Sequence, residues 1–231
     1  MTAGTVLVTV VSVVLTVGAY AASLRVRARW PSPLLGPVIL SAPVLMVVVT
    51  VTPIHVSGYA HAGRIITWFL GPATVALAVP FHRHRRVLFA NAAPLGIGLT
   101  LGTLVTMAAA LVLGRLLGMP RGVEAALGLK TATAPVAVAV APRVGADPSL
   151  VAGMVVLYAL IVTVLGPRLL TALGVQGPVA RGAALGGIGS GQGVAEALTE
   201  GQATGAAAAV SMVLAALLVT ALAPPVIRLL V

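Results

Sequence analysis

The sequence predicts an all-α, polytopic integral membrane protein, and three observations carry the prediction. The 231-residue chain is 59% hydrophobic and 8% charged, with a mean hydropathy of +1.13. Its apolar runs recur along the whole length and reach roughly 20 residues, which at 1.5 Å per helical residue matches a hydrocarbon core of about 30 Å. These runs are continuous and do not alternate with polar residues, so they read as helices and not as porin-type strands. The 26 glycines and 16 prolines fall within the runs as well as between them. That predicts discontinuous or re-entrant helices among about seven or eight apolar segments. We read residues 1–231 as a single transmembrane domain, multi-pass and in the plasma membrane.

Charge and composition exclude several classes. The net charge of +10 arises from 14 Lys+Arg against 4 acids. The arginines are scattered in short stretches between apolar runs, as topology signals are, and no basic aromatic-rich patch exists, so nucleic acid is excluded. There is no cysteine, hence no disulfide and no thiolate metal site. The histidines and acids show no HExxH spacing, and no Gly-x-Ser-x-Gly motif occurs. No enzyme activity, metal or cofactor is expected.

The elements follow in order. A first span, 5–22, is followed by Arg25, Arg27 and Arg29 and has no positive segment before it, which reads as a retained helix with its N-terminus outside and not as a cleaved signal. A second span, 34–51, is approached through Pro31-Ser32-Pro33. A third, 65–81, is broken at Gly71-Pro72 and closes at Pro80, before His82-Arg83-His84-Arg85-Arg86. Two spans separate this basic run from Arg25–Arg29, so both are expected in the cytoplasm. His82 and His84 read as residues of a basic interfacial loop and not as a metal pair. Further spans are expected at 94–113, 150–170 and 204–229, with two unusual segments between them. Arginines flank both sides of any assignment here, and re-entry of either unusual segment would invert all that follows. An internal echo, Ala73–Pro80 against Ala134–Pro142, suggests a repeat.

The first unusual segment is Leu129-Lys130-Thr131-Ala132-Thr133-Ala134-Pro135, inside an apolar run; Lys130 is the sole lysine. A charge at the centre of a spanning helix is unfavourable by about 2.5–3.5 kcal/mol on the insertion scale. Pro135 cannot donate to the Thr131 carbonyl, and a continuous helix across it is penalised by about 3 kcal/mol. Lys130, Thr131, Thr133 and the half-helix start at Pro135 therefore read as a substrate site at a broken helix, with one ammonium facing an anion. The plainer reading is a snorkelling lysine with hydroxyls bonded to their own helix.

The second is Gly186-Gly187-Ile188-Gly189-Ser190-Gly191-Gln192-Gly193-Val194-Ala195-Glu196. GxGxxG fails in every register and no Gly-Lys-Ser/Thr follows, so it is not a phosphate loop. Gly187/Gly191 and Gly189/Gly193 are GxxxG pairs suited to helix packing. Glycine this dense weakens a helix by about 1 kcal/mol per residue, which favours a partly unwound segment. Gly189, Ser190, Gln192 and Glu196 then join the substrate site. Glu196 has two functional readings, a partner of Lys130 or a proton carrier, beside the plain one of a helix-end charge near Glu200.

These residues carry a resemblance. Lys130-Thr-Ala-Thr-Ala-Pro-Val-Ala resembles the Lys-Ser-Val-Thr-Thr-Pro-Ile-Ala motif of the LrgB/CidB family. Leu70-Gly-Pro-Ala-Thr-Val-Ala-Leu-Ala-Val-Pro80 is similar to its Pro-Ala-x-Val-Ala-Leu-Ala-x-Pro run, and Trp30-Pro-Ser-Pro-Leu-Leu-Gly-Pro37 to its aromatic-Pro-Leu-Leu-Asn-Pro segment. The resemblance implies transport of small monocarboxylates of the pyruvate, glycolate or glycerate type, as a secondary transporter or facilitator. It also implies the rival function, an antiholin-like regulator of murein hydrolases and lysis. A small LrgA/CidA-type membrane partner and a homo-oligomer are the implied assemblies. The chain departs from the family pattern Ser-His-Ala-Leu-Gly-Thr-Ala-Arg, with Ser190 at the His position and Glu196 at the Arg position. Losing a cation and gaining an acid leaves the substrate and its charge open.

Overall fold

The computed structural model describes residues 3–30, 35–52, 56–69, 72, 75 and 78–231, and among these every regular element is a helix. The Pro31-Ser32-Pro33 approach and most of the run from 70 to 80, with its half of the internal echo, lie outside the described residues. The chain divides into two compact units, Met1–Ala78 and Val79–Val231.

The first unit holds α1 (Ala3–Arg29), α2 (Pro37–Val51) and α3 (Val56–Trp68), with α1 packed against both others. α1 runs past the expected end at 22 because Arg25, Arg27 and Arg29 are good helix formers, and cations suit the negative end of the helix dipole. Its hydroxyls are satisfied close to home: Ser12 donates to the Val8 carbonyl and Ser23 to the Ala19 carbonyl, each at 2.7 Å. Thr16 meets the Tyr59 hydroxyl of α3 at 2.9 Å. α2 opens on a proline, whose missing N–H would have no acceptor in a first turn.

The second unit begins with α4 (Ala78–Ala90), which corrects the expected loop. Pro80 falls in the first turn, where it is tolerated, and His82 to Arg86 are helical. Then come α5 (Ala92–Leu116), α6 (Arg121–Gly128), α7 (Ala134–Val140), a 3-10 turn (Ala141–Val144), α8 (Pro148–Ala172), α9 (Pro178–Glu200) and α10 (Gln202–Leu230). Helices α5, α8 and α10, with Val6–Arg29 of α1, are the four long and apolar enough to cross a membrane among the described residues. Asp147 starts α8 by accepting from the Leu150 amide at 2.8 Å, with Pro148 behind it.

Contacts fix how these run. α5 and α10 are parallel: Leu95 clusters with Ala206 and Ala207 at one end, and at the other the Arg115 guanidinium donates to the Leu230 carbonyl at 2.9 Å. α8 runs the opposite way, since its Val162 lies against Gly189 and its Gly166 against Leu185.

The two unusual segments both reverse. From Arg121 the chain runs inward through α6, turns over residues 129–133 and returns through α7, bringing the Gly145 carbonyl beside Gly122. α9 is also two arms, 178–189 and 191–200, joined at Ser190 with φ 54° and ψ −145°. Arg181 and Glu200, 19 positions apart, form an ion pair at 2.6 Å. A continuous helix would hold them about 28 Å apart. The first hairpin starts where α5 and α10 end and the second where α8 ends, so they enter from opposite ends of the unit.

Glycine makes the second hairpin possible. A Cβ on Gly193 would collide with the Leu185 carbonyl of the other arm, and one on Gly186 with the Ala208 backbone of α10. The sequence suggested a partly unwound segment; the break is confined to one residue, Ser190, and the glycines on either side of it serve close packing. Facing them, Ala206, Ala207, Ala208 and Ala209 of α10 are all buried. A larger core of Met107, Leu111, Leu129, Val151, Val219 and Ile227 holds the first hairpin between α5, α8 and α10.

Candidate functional site

Lys130 stands in the turn of the first hairpin. Short main-chain bonds close the end of α6, from Leu129 to Ala126 at 3.1 Å and from Ala132 to Leu129 at 3.1 Å. Thr133 is extended (φ −70°, ψ 148°), and its carbonyl accepts from Ala137 at 2.8 Å to start α7. Pro135 lies in the first turn of α7, so the break it signals falls just before it, on Lys130 to Thr133. With seven residues and no side-chain cap, α7 has a weak dipole; the ammonium is the stronger feature here.

The Lys130 ammonium donates to the main-chain carbonyl of Thr106 at 3.0 Å and lies 5.1 Å from the centre of the Tyr158 ring. A cation over a ring at this range is stabilised by about 0.5–2 kcal/mol. Neither partner carries charge, and an ammonium has three donors, so the charge remains available to an anion. Thr106 and Tyr158 sit near the middle of α5 and α8, each of 25 residues, which puts the ammonium at mid-depth.

Two buried hydroxyls of this unit are unsatisfied, Thr131 in the turn itself and Ser211 beside Gly187. Thr131 is 4% exposed and Ser211 0%, and neither oxygen has a hydrogen-bond partner. Other helical hydroxyls bond back to their own helix, Thr163 to Ala159 and Thr220 to Ala216 among them, each at 2.8 Å. A buried hydroxyl left unbonded is unfavourable by about 1–3 kcal/mol.

The second hairpin brings its tip to the same level. Gly189 rests on Val162, one turn from Tyr158 on α8, and Gly187 lies against Leu99 of α5. Ser190, at the reversal, and Gln192, just beyond it, are half-buried. Glu196 is 7% exposed but lies about 9 Å further along the second arm at 1.5 Å per residue. Lys130 itself contacts Thr106 and Tyr158. The structure therefore brings Lys130, Thr131 and the Gly189–Ser190 tip to one level and sets Glu196 behind them. Among the described residues no group of acids and histidines is arranged to hold a metal.

A cavity of about 710 Å³ leads to this level between α5 and the first arm of α9. Thr103, Thr106, Thr131 and Ile188 line one end, and Val87, Asn91 and Pro178 the other.

Sequence reasoning missed Thr106, Tyr158 and Ser211. Tyr158 was findable as a lone aromatic within an apolar span, and Ser211 as a lone hydroxyl in an alanine run. It missed Arg181 as well, which donates to Glu200, to the Val175 carbonyl at 2.9 Å and to the Pro167 carbonyl at 3.2 Å. That fan fastens both arms of the second hairpin to the end of α8.

Fold and site together define a helical membrane protein with a lysine at mid-depth in the tip of one of two hairpins that enter from opposite ends. The chain belongs to the LrgB-like family, whose model matches residues 16–229. It is similar to Uncharacterized protein YxaC of Bacillus subtilis (strain 168), 30% identical over 222 residues, which are 95% of this chain and 96% of that one. It is also similar to Uncharacterized protein YwbG of the same organism, 29% identical over 215 residues, 93% of this chain and 96% of that one. No solved structure matches the chain.

Proposed function

We propose that the protein is a secondary transporter or facilitator of small monocarboxylates in the plasma membrane, and not an enzyme. The observation that carries this reading is the convergence of two broken segments on Lys130, Tyr158 and Gly189 from opposite ends of the unit. Non-helical backbone at membrane depth is tolerated where it lines a polar cavity, and transporters bind substrate at such breaks near the midplane. The carboxylate takes the donors of the Lys130 ammonium, with Thr131 and Ser190 as further hydrogen-bonding groups. The hairpins gate the site alternately from the two sides. The number of apolar segments on this reading is about seven or eight, two of them re-entrant. Glu196, buried in the second arm, is the candidate proton carrier for symport.

A lysis regulator without transport, alone or with an LrgA/CidA-type partner, needs spans that associate; it has no use for a lysine in the tip of a hairpin. The test is uptake of labelled pyruvate, glycolate or glycerate into proteoliposomes. Saturable uptake above that of protein-free liposomes supports transport. Its absence for all three, with folded protein in the bilayer, favours the regulator.

A further inference from the structure

The cavity is much larger than a three-carbon acid requires. At about 30 Å³ per water-sized group, six heavy atoms fill less than 200 Å³, whereas the space is about 710 Å³. Its volume is in the range of sites for ligands of drug-like size, roughly 300–1,000 Å³.

The lining is also unlike that of a site for a small hydroxy acid. Among the described residues no charged side chain lines its length, Lys130 standing beside the inner end on the Thr106 carbonyl, and between its ends the walls are Leu95, Leu99, Val179, Ala183 and Ala184 with the bare backbone of Gly98 and Gly102. Thr106 turns its hydroxyl back onto the Gly102 carbonyl at 2.6 Å, which leaves its methyl for the cavity. The polar opportunity is confined to the inner end, where the buried Thr131 hydroxyl has no partner and the Thr106 carbonyl holds the Lys130 ammonium. A site that is polar at one end and apolar along its length selects a ligand of the same pattern.

We propose that the site accepts monocarboxylates with a branched or aromatic tail, of the 2-oxo acid kind, the head at Thr131 and Lys130 and the tail along α5 and the first arm of α9. This rests on the transport reading above. Each methylene buried from water favours binding by about fourfold. The three additional carbons of 4-methyl-2-oxopentanoate over pyruvate therefore give up to about a sixtyfold gain.

Uptake of labelled pyruvate and of labelled 4-methyl-2-oxopentanoate into proteoliposomes, against protein-free liposomes, tests the proposal with the wild type and Gly98→Leu. A Cβ at Gly98 meets nothing within 4 Å, and leucine is the better helix former, so the variant fills the cavity without disturbing the helix. Expected is a half-saturating concentration tens of fold lower for the branched acid than for pyruvate, with the preference reduced to a few fold in Gly98→Leu. Equal or weaker handling of the branched acid by wild type overturns the proposal while leaving transport of small acids intact. A strong preference unchanged in Gly98→Leu overturns the placement of the tail. Uptake of neither acid overturns the proposal together with the transport reading beneath it.

Discussion

Ser190 is a serine where a glycine would be less strained, and replacing it separates stability from function. Its φ of 54° and ψ of −145° put it in a region that L residues rarely adopt, at a cost of about 1–3 kcal/mol. Glycine removes that strain but adds about 0.4–1 kcal/mol of unfolded-chain entropy. The net gain for Ser190→Gly is near 1 kcal/mol at mid-range, which for a chain of this size raises Tm by about 2–4 °C. Thermal unfolding in detergent, followed by circular dichroism, reads the first effect. Uptake in proteoliposomes reads the second: Ser190→Gly and Ser190→Ala, each lacking the hydroxyl at the hairpin tip, should both transport less. Ser190→Ala keeps the strain and should gain no stability. A Tm that falls in Ser190→Gly would refute the strain argument, and undiminished uptake in both variants would remove the hydroxyl from the site.

Lys130→Gln keeps length and polarity and removes the charge. A hydrogen bond to a charged group contributes about 1.5–3 kcal/mol, so substrate affinity should drop about tenfold to a hundredfold; unchanged uptake by the folded variant would exclude Lys130 as the anion's partner. For Glu196→Gln the expected result is loss of accumulation driven by an imposed pH gradient, with exchange across the membrane retained. A variant that still concentrates substrate would make this acid a bystander. Arg181→Ala loses the whole fan of contacts to α8 and to the second arm, whereas Glu200→Gln weakens only the ion pair. Arg181→Ala should therefore lower Tm by more than Glu200→Gln, whose effect corresponds to about 1 kcal/mol or less; equal shifts would show that the main-chain bonds contribute nothing.

Much of the fold was legible because its signals are local. Continuous apolar runs marked α1, α5, α8 and α10, and Asp147-Pro148 marked a helix start. Lys130 stood out because one lysine in an apolar run has no structural excuse. What was hidden depends on distance in space. Dense glycine signals packing and turning alike, and the residue that reverses α9 is not a glycine but Ser190 between two of them. The Arg181–Glu200 pair spans 19 positions, which no helical spacing rule connects. The basic run at 82–86 looked like a loop because Pro80 precedes it, yet a proline in a first turn is as consistent with a helix beginning as with one ending.

The site requires the two segments to reverse from opposite sides, and the absence of cysteine makes this directly measurable. Single cysteines at Gln176 and Gln202 flank the second hairpin, and at Leu117 and Ser149 the first; all four positions are exposed. An impermeant thiol reagent applied to intact cells, with labelling after permeabilisation as the control, reports the side of each. The expected result is that Gln176→Cys and Gln202→Cys share one side and Leu117→Cys and Ser149→Cys share the other. Labelling of Gln176→Cys and Gln202→Cys from opposite sides would make α9 a crossing helix and contradict the site built on its tip.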